Sequence, residues 1–183
     1  MQFNIDQFIS SKGKDFRLDD TAAIREARHG IEQQNFEVTL QNTCEALLIN
    51  PKKFECLKLL ADFFIELKLP NQVAVVTARN LECNPYMIDT HLSHFEALIK
   101  IQKKTEALGV LKTAINIFRN EPKCQLSLSN ILWELGETAL SARVDFRLIQ
   151  NFRLSELELI TLISRFMKGG NLSLIAKRLV EIC

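Results

Sequence analysis

The sequence predicts an all-α chain built from repeated antiparallel helix pairs, and three observations carry that reading. Turn-forming residues are scarce, with 6 glycines and 4 prolines in 183 residues, while Leu, Ile, Ala, Glu, Lys and Gln dominate, which is a vocabulary of helix formers. The dipeptides Asn50-Pro51 and Asn84-Pro85 stand 34 residues apart, and each ends an apolar run because proline forces the preceding residue out of the helical region. Within those runs apolar residues recur at spacings of three and four, as in Leu57, Leu60, Ala61, Phe64 and Ile65. That stripe belongs to an amphipathic helix.

The 34-residue step extends well beyond the two prolines. Ala27, Ala61, Phe95 and Ser129 fall in one column, Leu47, Leu81, Ile115 and Ile149 in a second, and Leu40, Ala74, Leu108 and Ala142 in a third, with no inserted gap. Each unit therefore reads as two helices and a turn. The pairs are expected at residues 20–33 with 36–49, 54–67 with 70–83, 88–101 with 104–118, and 122–135 with 138–150. Pro70 and Pro122 then open helices, where a missing N–H costs nothing. A helix pair of this size cannot cover its own apolar faces, so neighbours must stack.

The ends of the chain depart from the period. Ser155 with Glu158 reads as a capping box at the start of a helix over 155–168, and Gly169-Gly170-Asn171 separates it from a last amphipathic stretch through Leu174, Ile175, Leu179 and Ile182. These two helices suit a terminal cap on the stack. At the other end Phe3, Ile5, Phe8 and Ile9 precede the polar run from Ser10 to Asp15; this segment packs on the first repeat, lies in a groove, or is a swapped arm. The organisation expected is an N-terminal segment over 1–19, a repeat array over 20–153 and capping helices over 154–183.

Composition narrows function by exclusion. Lys and Arg number 23 against 22 for Asp and Glu, so no excess field draws in nucleic acid or anionic lipid. Met1 to Ile9 lacks the basic and apolar regions of a secretory signal, and no apolar run reaches the roughly 20 residues of a membrane span. Cys44, Cys56, Cys83, Cys124 and Cys183 are odd in number and scattered, which suits free thiols in a reducing, cytoplasmic compartment.

Motifs for chemistry are missing as well: there is no Gly-rich phosphate loop, Gly-x-Ser-x-Gly elbow, His-Glu-x-x-His or paired-Cys motif. His91 and His94 share a helix face at i, i+3, but they occupy the columns of Leu57 and Leu60, so they are expected as core histidines rather than metal ligands. No catalytic residue, metal or cofactor is expected.

The Asn-Pro turns, the small residues Ala27 and Ala61 of the first helices, Ala107, Ala46 and Ala114 of the second, Phe36 and Gly136 together resemble the tetratricopeptide-repeat family over about residues 20–153. Thr39, Val73 and Ser141 depart from its usual alanine, and Arg119 from its third proline. The resemblance implies a right-handed superhelical solenoid whose concave groove is lined by the outward side of each first helix. On that side lie Ile31, Ile65, Ile99 and Trp133 in one column and Ile24, Lys58, Leu92 and Leu126 in another. Asp62, Glu96 and Asn130 come from a third.

Accordingly Ile31, Lys58, Asp62, Ile65, Leu92, Glu96, Ile99, Leu126, Asn130 and Trp133 are the residues expected to hold a partner. The expected function is a non-catalytic protein–protein interaction scaffold or adaptor that binds a segment of another protein. Two alternatives stay open: a non-catalytic array associated with an enzyme such as a glycosyltransferase, and a small cytoplasmic chaperone for a secreted substrate. The carboxylate grip of the family's co-chaperones is not reproduced, since Lys58 and Lys123 fit it but Asp62 would repel the ligand. Trp133 is either the largest groove anchor or a residue covered by the terminal cap.

Overall fold

The computed structural model describes residues 3–13 and 19–169. The chain divides into two compact units, Met1–Lys112 and Thr113–Cys183. All regular structure among the described residues is helical. The first unit holds α1 (Ile5–Lys12), α2 (Asp20–Glu32), α3 (Phe36–Ile49), α4 (Phe54–Glu66), α5 (Pro70–Cys83), α6 (Ile88–Lys100) and the start of α7 (Lys104–Ile117). The second holds the end of α7, then α8 (Pro122–Glu134), α9 (Thr138–Asn151) and α10 (Glu156–Lys168). Every expected repeat helix is present with its ends displaced by at most one residue.

The turns inside the pairs share one device. Gln34, Lys68, Gln102 and Gly136 all take positive φ, at 55°, 55°, 62° and 79°, and they are spaced by 34 residues. In each turn the N–H of this residue reaches back three residues, to the carbonyls of Ile31, Ile65, Ile99 and Trp133, while the next N–H reaches back five, to Gly30, Phe64, Leu98 and Leu132. This is the Schellman closure of a helix C-terminus. Only Gly136 holds the conformation without a side-chain penalty, which for the other three is about 1–2 kcal/mol each.

Between pairs, the Asn-Pro turns work through their side chains. Asn50 Oδ1 accepts the N–H of Lys52 at 3.3 Å, and Asn84 Oδ1 accepts that of Tyr86 at 3.2 Å. The third such turn has Arg119 in place of proline, and a buried glutamine does the work instead: Gln125 Nε2 donates to Ile115 O at 2.8 Å and to Phe118 O at 3.1 Å, closing the C-terminus of α7 from within α8. Gln125 shares its column with Ala23, Leu57 and His91, all nearly inaccessible to solvent.

One expectation is corrected. Phe36 does not fill the space between the helices of its pair; it is largely exposed at the start of α3, with its ring 6.4 Å from that of Phe63. The pair closes too tightly for it, because Gly30 lets α2 approach α3 until a Cβ there would lie 2.6 Å from Thr39 Oγ1. Ile24, expected on the outer side, lines a groove there with Thr21, Arg28 and Glu55 and is itself buried.

The N-terminal segment is a helix, and it lies across α3 and α5 rather than on the first pair alone. Ile5 and Ile9 of α1 are buried, and Phe3 and Phe8 set their rings 5.6 and 5.3 Å from Phe64. Helix α10 starts where the capping box places it: Glu158 N–H bonds Ser155 Oγ, and the Ser155 N–H donates to Glu158 Oε2 at 2.7 Å. The amphipathic stretch expected after Gly170 lies outside the described residues.

Candidate protein-binding site

Neighbouring first helices of the first unit meet along their outer sides. Between α2 and α4, Lys53 Nζ reaches Asp20 Oδ2 at 3.2 Å and Arg28 lies 3.8 Å from Glu55. The hydrogen bond from Lys53 holds the Asp20 carboxyl below its ordinary value. Between α4 and α6 opens a cleft of about 500 Å³ with Phe64, Leu69, Val73 and Ala97 inside it and Ile65, Glu96, Lys68 and Lys100 around it.

Two of the expected ladder residues stand open to solvent on this side. Ile31 is 46% and Ile65 41% exposed, and each occupies the last turn of its helix, held there by the turn that closes on its own carbonyl. Lys58, Asp62 and Glu96 are exposed, and Leu92 and Ile99 are half-buried. Burial pushes the Asp62 carboxyl above its ordinary value; Lys58 pulls it down, and Asp89 and Glu66 push it further up. The face thus combines open apolar side chains with charges of both signs.

The expected residues of the second unit have a different setting, because α10 engages them. The Arg165 guanidinium donates to Asn130 Oδ1 and sits 5.8 Å above the half-buried ring of Trp133. It also lies 3.7 Å from the carboxylate of Asp145, which is 1% exposed and accepts from Ser129 Oγ. Burial pushes the Asp145 carboxyl up, against the hydrogen bond from Ser129 and the charge of Arg165. Leu126 is half-buried. The reading of Trp133 as a residue met by the terminal cap therefore has direct contacts behind it, made by α10.

No arrangement for nucleophilic or acid–base chemistry appears among these side chains. His91 Nε2 is 2.9 Å from Pro85 O, and His94 Nδ1 is 2.8 Å from Thr77 Oγ1. Burial pushes both imidazoles below their ordinary value. It also pushes the thiols of Cys44 and Cys56 up to about 12, where they are poor nucleophiles at neutral pH. Among the described residues no three His, Cys, Asp or Glu side chains gather as a metal site.

Arg165 and Asp145 form a buried ion pair in this region, and sequence reasoning passed over both. The available signal was a charged residue inside the apolar stripe of each helix. The two glutamines and the lysine at positive φ were also missed, although their spacing from Gly136 repeats the period.

No protein-family model matches the sequence, and no curated protein matches it. Solved structures do. The MamA protein superposes with a TM-score of 0.60 at 14% identity, over 86% of each chain. A thermophilic TPR protein of Thermus thermophilus gives 0.50 at 17% identity, over 85% of each chain. The O-GlcNAc transferase of Thermobaculum terrenum gives 0.52 at 14% identity, over 82% of this chain and 27% of that one. At these identities the likeness is one of fold, and the fold of this chain is the helix-pair solenoid of tetratricopeptide-repeat proteins.

Proposed function

We propose that this chain is a non-catalytic protein-interaction scaffold, an adaptor that takes a segment of another protein along the outer sides of α2, α4 and α6. The observation that carries the reading is the exposure of Ile31 and Ile65 at equivalent positions of successive units, with an apolar cleft beside the second of them. Large apolar side chains held open on rigid helix ends are suited to serve as anchors, and Lys58, Asp62 and Glu96 around them supply specificity. Leu92 and Ile99 extend the apolar surface along α6. The near balance of charge, 23 basic against 22 acidic residues, supports a protein partner over nucleic acid or a membrane surface. No helix among the described residues is long and apolar enough to cross a membrane. The scattered cysteines support a cytoplasmic setting.

Affinity capture with quantitative mass spectrometry tests this by comparing the natural chain with an Ile31→Asp, Ile65→Asp double variant. Folding stability should fall by only about 1 kcal/mol per site, since each residue is partly exposed and an aspartate in the last turn meets the negative end of the helix dipole. Partners bound through these anchors should drop out, because losing an interface hot spot costs at least about 2 kcal/mol. Equal recovery of the same partners by both chains would overturn the assignment.

One further reading has a specific observation behind it. The match to a stretch covering 27% of the O-GlcNAc transferase chain supports an array that serves a glycosyltransferase. Recovery of such an enzyme with the natural chain, lost in the double variant, would favour it over a free-standing adaptor.

A further inference from the structure

Three arginines among the described residues are half-buried, and two of them have a carboxylate beside them. Arg79 of α5 pairs with Asp6 at 2.5 Å, and Arg165 of α10 lies 3.7 Å from Asp145. Arg147 of α9, two 34-residue steps after Arg79, has no ion-pair partner among the described residues. Its guanidinium is nevertheless fixed. Nη2 donates to Gln125 Oε1, and Gln125 is itself anchored by the carbonyls of Ile115 and Phe118, to which its Nε2 donates. Arg119 follows Phe118 directly, so the same glutamine sets a second guanidinium near the first, and Arg143 stands one turn before Arg147 on the same side of α9. Arg119 and Arg143 also have no ion-pair partner among the described residues. The acids closest in sequence are engaged elsewhere: Glu121 accepts from Cys124 Sγ at 3.3 Å, and Asp145 faces Arg165. Burial and then the charge of Arg119 push the Arg147 guanidinium below its ordinary value.

We propose that Arg147, flanked by Arg119 and Arg143, docks the carboxylates of an acidic segment of another protein. Positive charges set beside one another and partly withdrawn from water are unfavourable until an anion meets them. A guanidinium held in one orientation is matched by a planar carboxylate, which can accept two of its N–H groups at once. Two features identify the occupant. Arg79, at the equivalent position of the repeat, already holds a carboxylate, supplied by Asp6 of α1. Where Arg79 meets that single acid, Arg147 has two further cations beside it, so the matching segment carries a run of acidic residues. The chain as a whole is nearly neutral, with 23 basic and 22 acidic residues, so the attraction is local to this group and is screened by salt. The site lies within the second unit and uses no residue of α2, α4 or α6, so neither reading depends on the other.

A fluorescein-labelled peptide of glutamates is the probe, titrated with the full chain at low salt. Its anisotropy should saturate. Arg147→Gln and Arg119→Gln should each weaken binding about tenfold, the loss of one charge-assisted contact. Arg119 is exposed, so its variant keeps the fold even where loss of the Arg147 contact to Gln125 disturbs it, and circular dichroism checks both. Arg25→Gln, which removes an exposed cation of the first unit, should leave affinity within about twofold. At equal ionic strength, sodium glutarate should displace the peptide at a lower concentration than sodium phosphate. Absence of saturation overturns the proposal, as does a folded Arg119→Gln chain that binds like the parent. An equal loss with Arg25→Gln overturns it too, because the attraction would then be spread over the whole surface. Displacement by phosphate at the lower concentration would assign the arginines to a phosphate group and overturn the acidic segment.

Discussion

Replacing Arg165 by leucine removes three interactions from the second unit at once: the hydrogen bond to Asn130, the ion pair with Asp145 at 3.7 Å and the cation–π contact with Trp133 at 5.8 Å. Breaking one partner out of a buried ion pair costs about 3–5 kcal/mol, because the other charge is left in a medium that does not solvate it. The side chain of Arg165 keeps 13% exposure against 1% for Asp145, and Ser129 and Ser141 still face the orphaned carboxylate, so a loss of about 3 kcal/mol is expected at neutral pH. The pH dependence follows from Asp145, whose folded pKa lies above its ordinary value of 3.8 because of burial. As pH falls through that raised pKa the folded variant takes up a proton before the unfolded chain does, so the penalty shrinks. Adding Asp145→Asn to Arg165→Leu should recover much of the loss at pH 7 for the same reason. Trp133 is the only tryptophan, so urea titration followed by its fluorescence reads this unit directly. A cost under about 1 kcal/mol, or a cost that stays constant from about pH 7 to pH 4, would refute the reasoning.

Buried His91 and half-buried His94 predict an acid sensitivity of the opposite sign. Their folded pKa values are lowered from 6.5 by burial, so the unfolded chain binds protons first, and stability present above pH 6.5 is lost as pH falls, by at most about 1.4 kcal/mol per pH unit for each histidine. His91→Leu with His94→Leu, the residues found at the equivalent positions 57 and 60, should flatten the fall in melting temperature between about pH 7 and pH 5; an unchanged slope would assign it elsewhere. In the pair turns, Gln102→Gly should stabilise. It removes a left-handed strain of about 1–2 kcal/mol and adds about 0.5–1 kcal/mol of glycine's unfolded-state entropy. The reverse change, Gly136→Gln, should cost a similar amount, and equal denaturation midpoints for parent and variants would count against both.

What was legible in the sequence was whatever burial repeats. Columns such as Ala27, Ala61, Phe95 and Ser129 announce themselves at a 34-residue step because each must pack the same crossing, and the helix ends follow from where those stripes stop. Polar compensation is different in kind, since its partner is chosen by tertiary neighbours and not by position in the repeat. Gln125 closes α7 because Arg119 stands where a proline would have turned the chain, and no local pattern in α8 states that. The ladder of Ile31, Ile65, Ile99 and Trp133 shows both effects in one column. Periodicity correctly puts all four at the last turn of a first helix, where each carbonyl closes the same turn. Exposure then diverges: Ile31 and Ile65 are open, Ile99 is half-buried, and Trp133 is met by Arg165 of α10. A residue's column therefore predicts its backbone role more reliably than its availability to a partner. On the function proposed above, the two isoleucines are therefore the first positions at which to test binding, ahead of Trp133, which the sequence left open between groove anchor and covered residue.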